Sequence, residues 1–250
     1  LFFYNNFLKI LNKYNPKLLI DAQFSKPQAF HEYPISVAGG TGIFLLFLIV
    51  YFNFLFFKNI IFFEYLSICT FIFFLGFFDD VKINIKPKYR LALMIIFLLA
   101  LMKYNDFYLE RTGIEILNYW LENSEIFSLI FICLCFLFII NGSNLIDGYN
   151  GLLCLHSLII FTNLFLINYF NANNDLANLL FFMIIILIIF LSFNFPKAKV
   201  FLGDSGSYFL GAFIAISTIK TSIANPSISP FYFCILLFYL FFEVFFSFFR

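Results

Sequence analysis

The chain alternates between long apolar runs and short polar islands. The runs approach the roughly 20 residues of helix that a hydrocarbon core of about 30 Å requires. Nine can be marked: a stub at Leu1 to Leu11, then Ile35 to Phe57, Ile60 to Phe78, Tyr89 to Tyr104, Glu125 to Ile140, Gly151 to Phe170, Leu176 to Phe195, Ser205 to Ile219 and Phe231 to Phe249. A polar, basic stretch, Asn12 to Tyr33, follows the stub. The pattern predicts an all-α polytopic membrane helix bundle, one domain over residues 1–250. The chain opens on Leu1 without a methionine and stops at Arg250 straight after an apolar run, so it is expected to be a fragment truncated at both ends.

Alternating the direction of the segments sorts the loops into two sets. One set carries Lys9, Lys13, Lys17, Lys26, Lys82, Lys86, Lys88, Arg90, Lys197, Lys199 and Arg250, which is 11 of the 15 basic residues. The other keeps Lys58, Lys103, Arg111 and Lys220, and its long acidic loop, Lys103 to Ser124, holds no motif. The positive-inside rule makes the first set cytoplasmic. Four polar clusters then share that face: His31 to Gly40, Asp79 to Arg90, Asn141 to Gly151 and Lys197 to Ser207. Loops pooled in this way can build one site at the membrane surface, open to solutes and to lipid head groups.

Composition sharpens the class: 63% of residues are hydrophobic and 24% aromatic, well beyond the usage of soluble domains. The formal net charge of +1 points to no nucleic acid. The five cysteines lie inside apolar runs with no C-x-x-C pair, and read as small core residues rather than redox or metal groups. The phenylalanines are mostly lipid-facing bulk.

The polar islands carry the candidate chemistry. Asn141, Asn144 and Asp147 stand at i, i+3 and i+6, which on a helix sets two amides and a carboxylate along one broad face, followed by Gly148 and Gly151. Asp79 and Asp80 close an apolar segment ahead of Lys82, Lys86, Lys88 and Arg90. They read either as a solvated helix end or as a site for a hard cation or raised-pKa base beside phosphate-binding cations. Gly203-Asp204-Ser205-Gly206-Ser207 opens a helix, and reads either as a capped entry or as an anion site with free N–H groups. Phe201 stands beside Asp204, where its ring could stack on a base. Gly39-Gly40 alone marks close helix packing, His31 an interfacial polar group, and His156 a bond to a neighbouring helix rather than a metal.

Taken together, the stretches from Gln28 (QAFHEYPISVAGG), Gly76 (GFFDDVKINIKPKYRL), Asn141 (NGSNLIDGYNGL) and Phe195 (FPKAKVFLGDSGSYFLG) resemble the polyprenyl-phosphate N-acetylhexosamine-1-phosphate transferase family, in its order and over nearly the whole chain. The resemblance implies a magnesium-dependent enzyme of the bacterial inner membrane, with about ten or eleven helices and its active face cytoplasmic. It would move a sugar-1-phosphate from a UDP-sugar to undecaprenyl phosphate and release UMP; a homodimer is compatible with it. Carried over residue by residue, Asp79, Asp80 and Asp204 become catalytic. Asp79 takes the proton of the lipid phosphate, and Asp204 with Asp80 binds the metal. Asn141, Asn144, Asp147 and Asn150 form the nucleotide-sugar motif, Phe201 packs on uracil, and Lys82, Lys86, Lys88 and Arg90 fit the lipid-phosphate groove.

The chain also departs from the family pattern. Val37 stands where the family commonly has an arginine, Ala29 where a lysine is expected, and the histidine-rich loop after the last helix is not reached. The chain by itself is therefore expected to be inactive, and an inactive truncated paralogue is one alternative. Ser36-Val37-Ala38-Gly39-Gly40 and Asp147-Gly148-Tyr149-Asn150-Gly151 look more like the branch that starts O-antigen and related lipopolysaccharide glycans than the peptidoglycan-precursor branch of cell wall biogenesis, which is the alternative reading. An ion-coupled transporter fits less well, because its carboxylates would sit near the midplane.

Overall fold

The structure, a computed structural model, describes residues 19–21, 35–58, 60, 62–83, 85–109 and 111–249. The expectations placed on the stub, on the basic stretch with Ala29 and His31, and on Arg250 lie outside these residues. Away from water only a helix satisfies every backbone N–H and C=O within its own segment, and the apolar runs among the described residues are helical. Among the described residues these are α1 (Gly39–Lys58), α2 (Phe63–Asp80), α3 (Pro87–Tyr104), α4 (Glu115–Asn123), α5 (Glu125–Ile146), α6 (Leu152–Phe170), α7 (Asn174–Asn194), α8 (Gly203–Ala224), α9 (Pro230–Leu236) and α10 (Phe238–Phe249). Two short strands, β1 (Ile20–Asp21) and β2 (Ile35–Ser36), pair antiparallel ahead of α1.

Five of these helices, α1, α5, α6, α7 and α8, are long and apolar enough to cross a membrane. The pair α9 and α10 makes a sixth span if counted as one, bent by 60° at its break. Helices α2 and α3 are less apolar, with three charged residues apiece in 18. Proline at the first helical position, where the missing N–H costs nothing, opens both α3 and α9.

Helix α8 is the axis of the bundle. Nearly every residue from Ser205 to Ser222 is buried, which marks a helix surrounded by protein rather than lipid. It packs on α1, α2, α5, α6, α7 and α9. Its large side chains join an aromatic core in which Phe44 stacks on Phe73 at 4.0 Å and Phe47, Phe209 and Phe213 pack edge to face or tilted.

Helix α1 starts at Gly39 rather than Ile35, α8 runs on to Ala224, and two further boundaries differ from the sequence expectation. The segment predicted to stop at Ile140 continues to Ile146, so Asn141 and Asn144 lie inside α5 and Asp147 is its C-cap. The last span, expected to be continuous, is broken at Leu237. The acidic loop contains a helix of its own, α4, with one apolar side that includes Ile116, Tyr119 and Trp120. The five cysteines are free, four of them wholly or partly buried and Cys234 on the apolar surface. His156 does not bond a neighbour through Nε2, which is buried without a partner; the ring instead packs edge-on against Tyr239 of α10, centroids 5.5 Å apart.

Candidate active site

The first N–H groups of any helix lack an intrahelical acceptor and carry partial positive charge. At the start of α8 a carboxylate from another helix takes two of them. Asp80, the last residue of α2, accepts the Asp204 N–H on Oδ1 at 2.8 Å and the Ser205 N–H on Oδ2 at 3.0 Å. The helix start read from sequence as open for an anion is thus held by the protein's own aspartate. Gly203 makes the approach possible: its φ is +78°, and a Cβ there would lie 2.8 Å from Asp80 Oδ2 and 2.7 Å from Val37 Cγ1.

The third element is α5. The Asn144 amide donates to Asp204 Oδ1 at 2.8 Å and to the Ser207 hydroxyl at 3.0 Å, and that hydroxyl donates to the Asp204 carbonyl at 3.2 Å. The ends of α2, α5 and α8 are therefore linked through Asp80, Asp204 and Asn144. A fourth segment closes the arrangement from the chain's N-terminal side. Phe201 donates its N–H to the Ser36 carbonyl at 2.8 Å, while Gly39 and Gly40 donate theirs to the carbonyls of Phe201 and Leu202 at 3.0 and 2.7 Å. Gly40 then meets the backbone of Gly206, where a Cβ would fall 2.3 Å from the amide nitrogen, so α1 and α8 touch directly at the site.

Asp79 takes no part in that network. It forms an ion pair with Arg90 of α3, and the Arg90 guanidinium lies 5.5 Å from the centroid of the buried Tyr208 ring. Adjacent in sequence, the two aspartates serve different partners.

The electrostatics follow from burial and crowding. Asp147 is held well above the ordinary carboxyl range by burial first, and then by the charges of Asp204 and Asp80. The Asp80 carboxyl is pushed up to about 7, mainly by burial and in part by Asp204, while the bonds from Ser205 and Asp204 pull the other way. Both carboxyls lie past the apolar stretches of their helices. Acidic groups crowded in this way fit a divalent cation, whose charge would relieve the repulsion. Among the described residues no three acidic, histidine or cysteine side chains close on one point.

The remaining sequence-derived positions are spread wider. Asn141 turns its amide back to the Leu137 carbonyl of its own helix at 2.7 Å. Asn150 reaches the Pro196 carbonyl at 3.4 Å, on the loop before α8. Lys82, Lys86 and Lys88 are exposed, and Lys82 adopts a left-handed backbone with φ of 63°. Phe201 is half-buried, its backbone fixed beside β2. Sequence reasoning missed Tyr208 altogether, although it stands one helical turn beyond Asp204 and so on the same side of α8.

Residues 62–222 match the family model of glycosyl transferase family 4, and the chain belongs to that family. It is similar to the phospho-N-acetylmuramoyl-pentapeptide-transferase of Dictyoglomus turgidum, 34% identical over 78% of this chain and 62% of that protein. The enzymes of the same name from Dictyoglomus thermophilum (32% identical, 78% and 62% covered) and from Nitratiruptor sp. (32%, 55% and 43%) are also similar. The chain thus spans less than two thirds of the length of these curated relatives.

Proposed function

We propose that the protein transfers a phosphorylated N-acetylhexosamine from a UDP-sugar to undecaprenyl phosphate and releases UMP, at the cytoplasmic face of a bacterial plasma membrane. The observation that carries the reading is the junction of Asp80, Asp204 and Asn144 at the start of α8, beside the Asp79–Arg90 pair. A phosphoryl transfer between two anions asks for neutralisation and alignment more than for covalent help from the protein. The reaction forms a bond from a lipid-phosphate oxygen to the sugar-bearing phosphorus. The bond from that phosphorus to the bridging oxygen breaks, and UMP leaves with the electron pair.

Each residue has a role in this reading. Asp79 takes the proton of the lipid phosphate, and Arg90, already beside it, meets the phosphate charge with Lys82, Lys86 and Lys88 around it. Asp204 and Asp80 would hold magnesium, which when bound screens the pyrophosphate charge. Asn144 orients the Asp204 carboxylate. Asn141, Asp147, Asn150 and Phe201 form the nucleotide side of the site.

The names of the relatives favour N-acetylmuramoyl-pentapeptide as the group moved, the alternative of the sequence reading rather than its first choice. Asn150 and the Ser36-Val37-Ala38 stretch favour the surface-glycan donor as a second reading. Supplying UDP-N-acetylmuramoyl-pentapeptide and UDP-N-acetylglucosamine separately, with undecaprenyl phosphate, and measuring UMP separates them. Release with the pentapeptide donor alone is expected; release with N-acetylglucosamine alone would favour the second reading.

A further inference from the structure

Helices α2 and α8 run antiparallel, and polar ties close both ends of their seam. Along α2 the seam is Tyr65, Cys69, Ile72 and Gly76, spaced four, three and four residues so that all fall on one face. The first three are fully buried. Gly76 brings backbone to backbone, since a Cβ there would lie 2.4 Å from the Asp204 carbonyl oxygen. At the site end, Asp80 holds the Asp204 and Ser205 amides. At the opposite end Glu64 forms an ion pair with Lys220, whose Nζ lies 5.9 Å from the Phe62 ring centroid. Beside it the Tyr65 and Ser217 hydroxyls are hydrogen-bonded at 3.0 Å.

Spacing connects the two ends. Sixteen residues separate Glu64 from Asp80 and sixteen separate Asp204 from Lys220, about 24 Å along each helix. The two ties therefore agree on a single axial register. A slip of one residue is about 1.5 Å, enough to break hydrogen bonds of normal length.

We infer that the Glu64–Lys220 pair is a positioning device for the distant site: it fixes the register of α8 against α2 and so keeps the Asp204 and Ser205 amides within reach of Asp80. Glu64 and Lys220 are largely withdrawn from water, at 14% and 31% side-chain exposure. Removing either partner leaves the other as a poorly solvated, unpaired charge, and the helix ends shift as that side chain turns toward water. The shift is transmitted along a rigid helix to its first turn, where a misplacement of about 1 Å is costly to catalysis.

Hydrogen exchange tests the inference without using the activity, and a kinetic arm, which rests on the transferase reading, adds to it. Glu64→Gln and Lys220→Gln are each expected to speed exchange at the Asp204 and Ser205 amides by about tenfold while leaving residues 210–216 protected. Turnover should fall by about tenfold or more with the donor KM little changed. The reversed pair, Glu64→Lys with Lys220→Glu, should restore both. Unaltered exchange in the single variants, or a reversed pair as impaired as the singles, would overturn the inference. Should the single variants fail to fold, the reversed pair decides: wild-type exchange at Asp204 and Ser205 supports the inference, and faster exchange or no folded protein overturns it. If the unaltered protein shows no transfer, the functional reading fails while the exchange result still decides this one.

Discussion

Asp80 and Asp204 meet through a backbone amide rather than through their carboxylates: Asp80 Oδ1 accepts the Asp204 N–H at 2.8 Å, leaving the Asp204 side chain to be oriented by Asn144. Two acidic residues from helices far apart in sequence are thereby held side by side, close enough for the Asp204 charge to help raise the Asp80 carboxyl. Asp80→Asn should keep the fold, cost about 1 kcal/mol of stability as a weakened helix cap, and lower UMP release by about 100-fold. Steady-state assays paired with thermal unfolding check this; near-normal turnover would remove Asp80 from the site.

Gly203 gives a sharper geometric prediction. Alanine there needs a left-handed backbone and places a methyl 2.8 Å from Asp80 Oδ2, so Gly203→Ala should lose about tenfold or more in turnover through misplacement of the first turn of α8. Gly148, with nothing among the described residues within 4 Å of a Cβ, is the control, and its alanine variant should stay close to normal.

The raised Asp80 carboxyl sets a pH dependence. Without metal the folded group keeps its proton up to about 7, whereas an unperturbed aspartate releases it near 3.8. Between those values the folded state binds more protons than the unfolded one, so stability falls as pH rises from about 4 to about 7. Divalent-cation binding displaces protons and should weaken as pH falls below about 7. Unfolding temperatures in chelator are expected to drop across that window, less so in Asp80→Asn; a flat profile in the unaltered protein would contradict the assignment.

Arg90 and Tyr208 make a fourth test. Replacing the ring under the guanidinium with Tyr208→Leu removes a cation–π contact worth about 0.5 to 2 kcal/mol, which should appear as a several-fold rise in KM for the lipid phosphate. A change confined to the UDP-sugar KM would place Arg90 on the wrong substrate.

Much of this was legible in the sequence because a polar residue in an apolar chain has few places to go. Asp80, Asn144 and Asp204 belonged to separate islands, and the structure brings them together. The i, i+3, i+6 spacing of Asn141, Asn144 and Asp147 allowed a helix, but the apolar run ended at Ile140 and asparagine and glycine are poor helix formers, so the extent of α5 was set by tertiary packing and not by the apolar pattern. The inward turn of the Asn141 amide, whose i and i+3 spacing to Asn144 suggested a shared role, was not legible. The split between Asp79, bound to Arg90, and Asp80, bound to α8, depends on side-chain directions at a helix end that spacing alone does not encode. The break at Leu237 has no proline or glycine to announce it.

The most direct test of the proposed transfer follows the sugar-bearing phosphorus. A UDP-sugar labelled at its β-phosphorus is incubated with undecaprenyl phosphate, magnesium and membranes containing the full-length protein or its Asp204→Asn variant, and lipid and aqueous products are separated. The expected result is label in a lipid diphosphate, matched one for one by UMP, and a loss of about 100-fold or more in the variant. Label remaining in the aqueous phase with both the pentapeptide and the N-acetylglucosamine donors, or equal transfer by the variant, would contradict it.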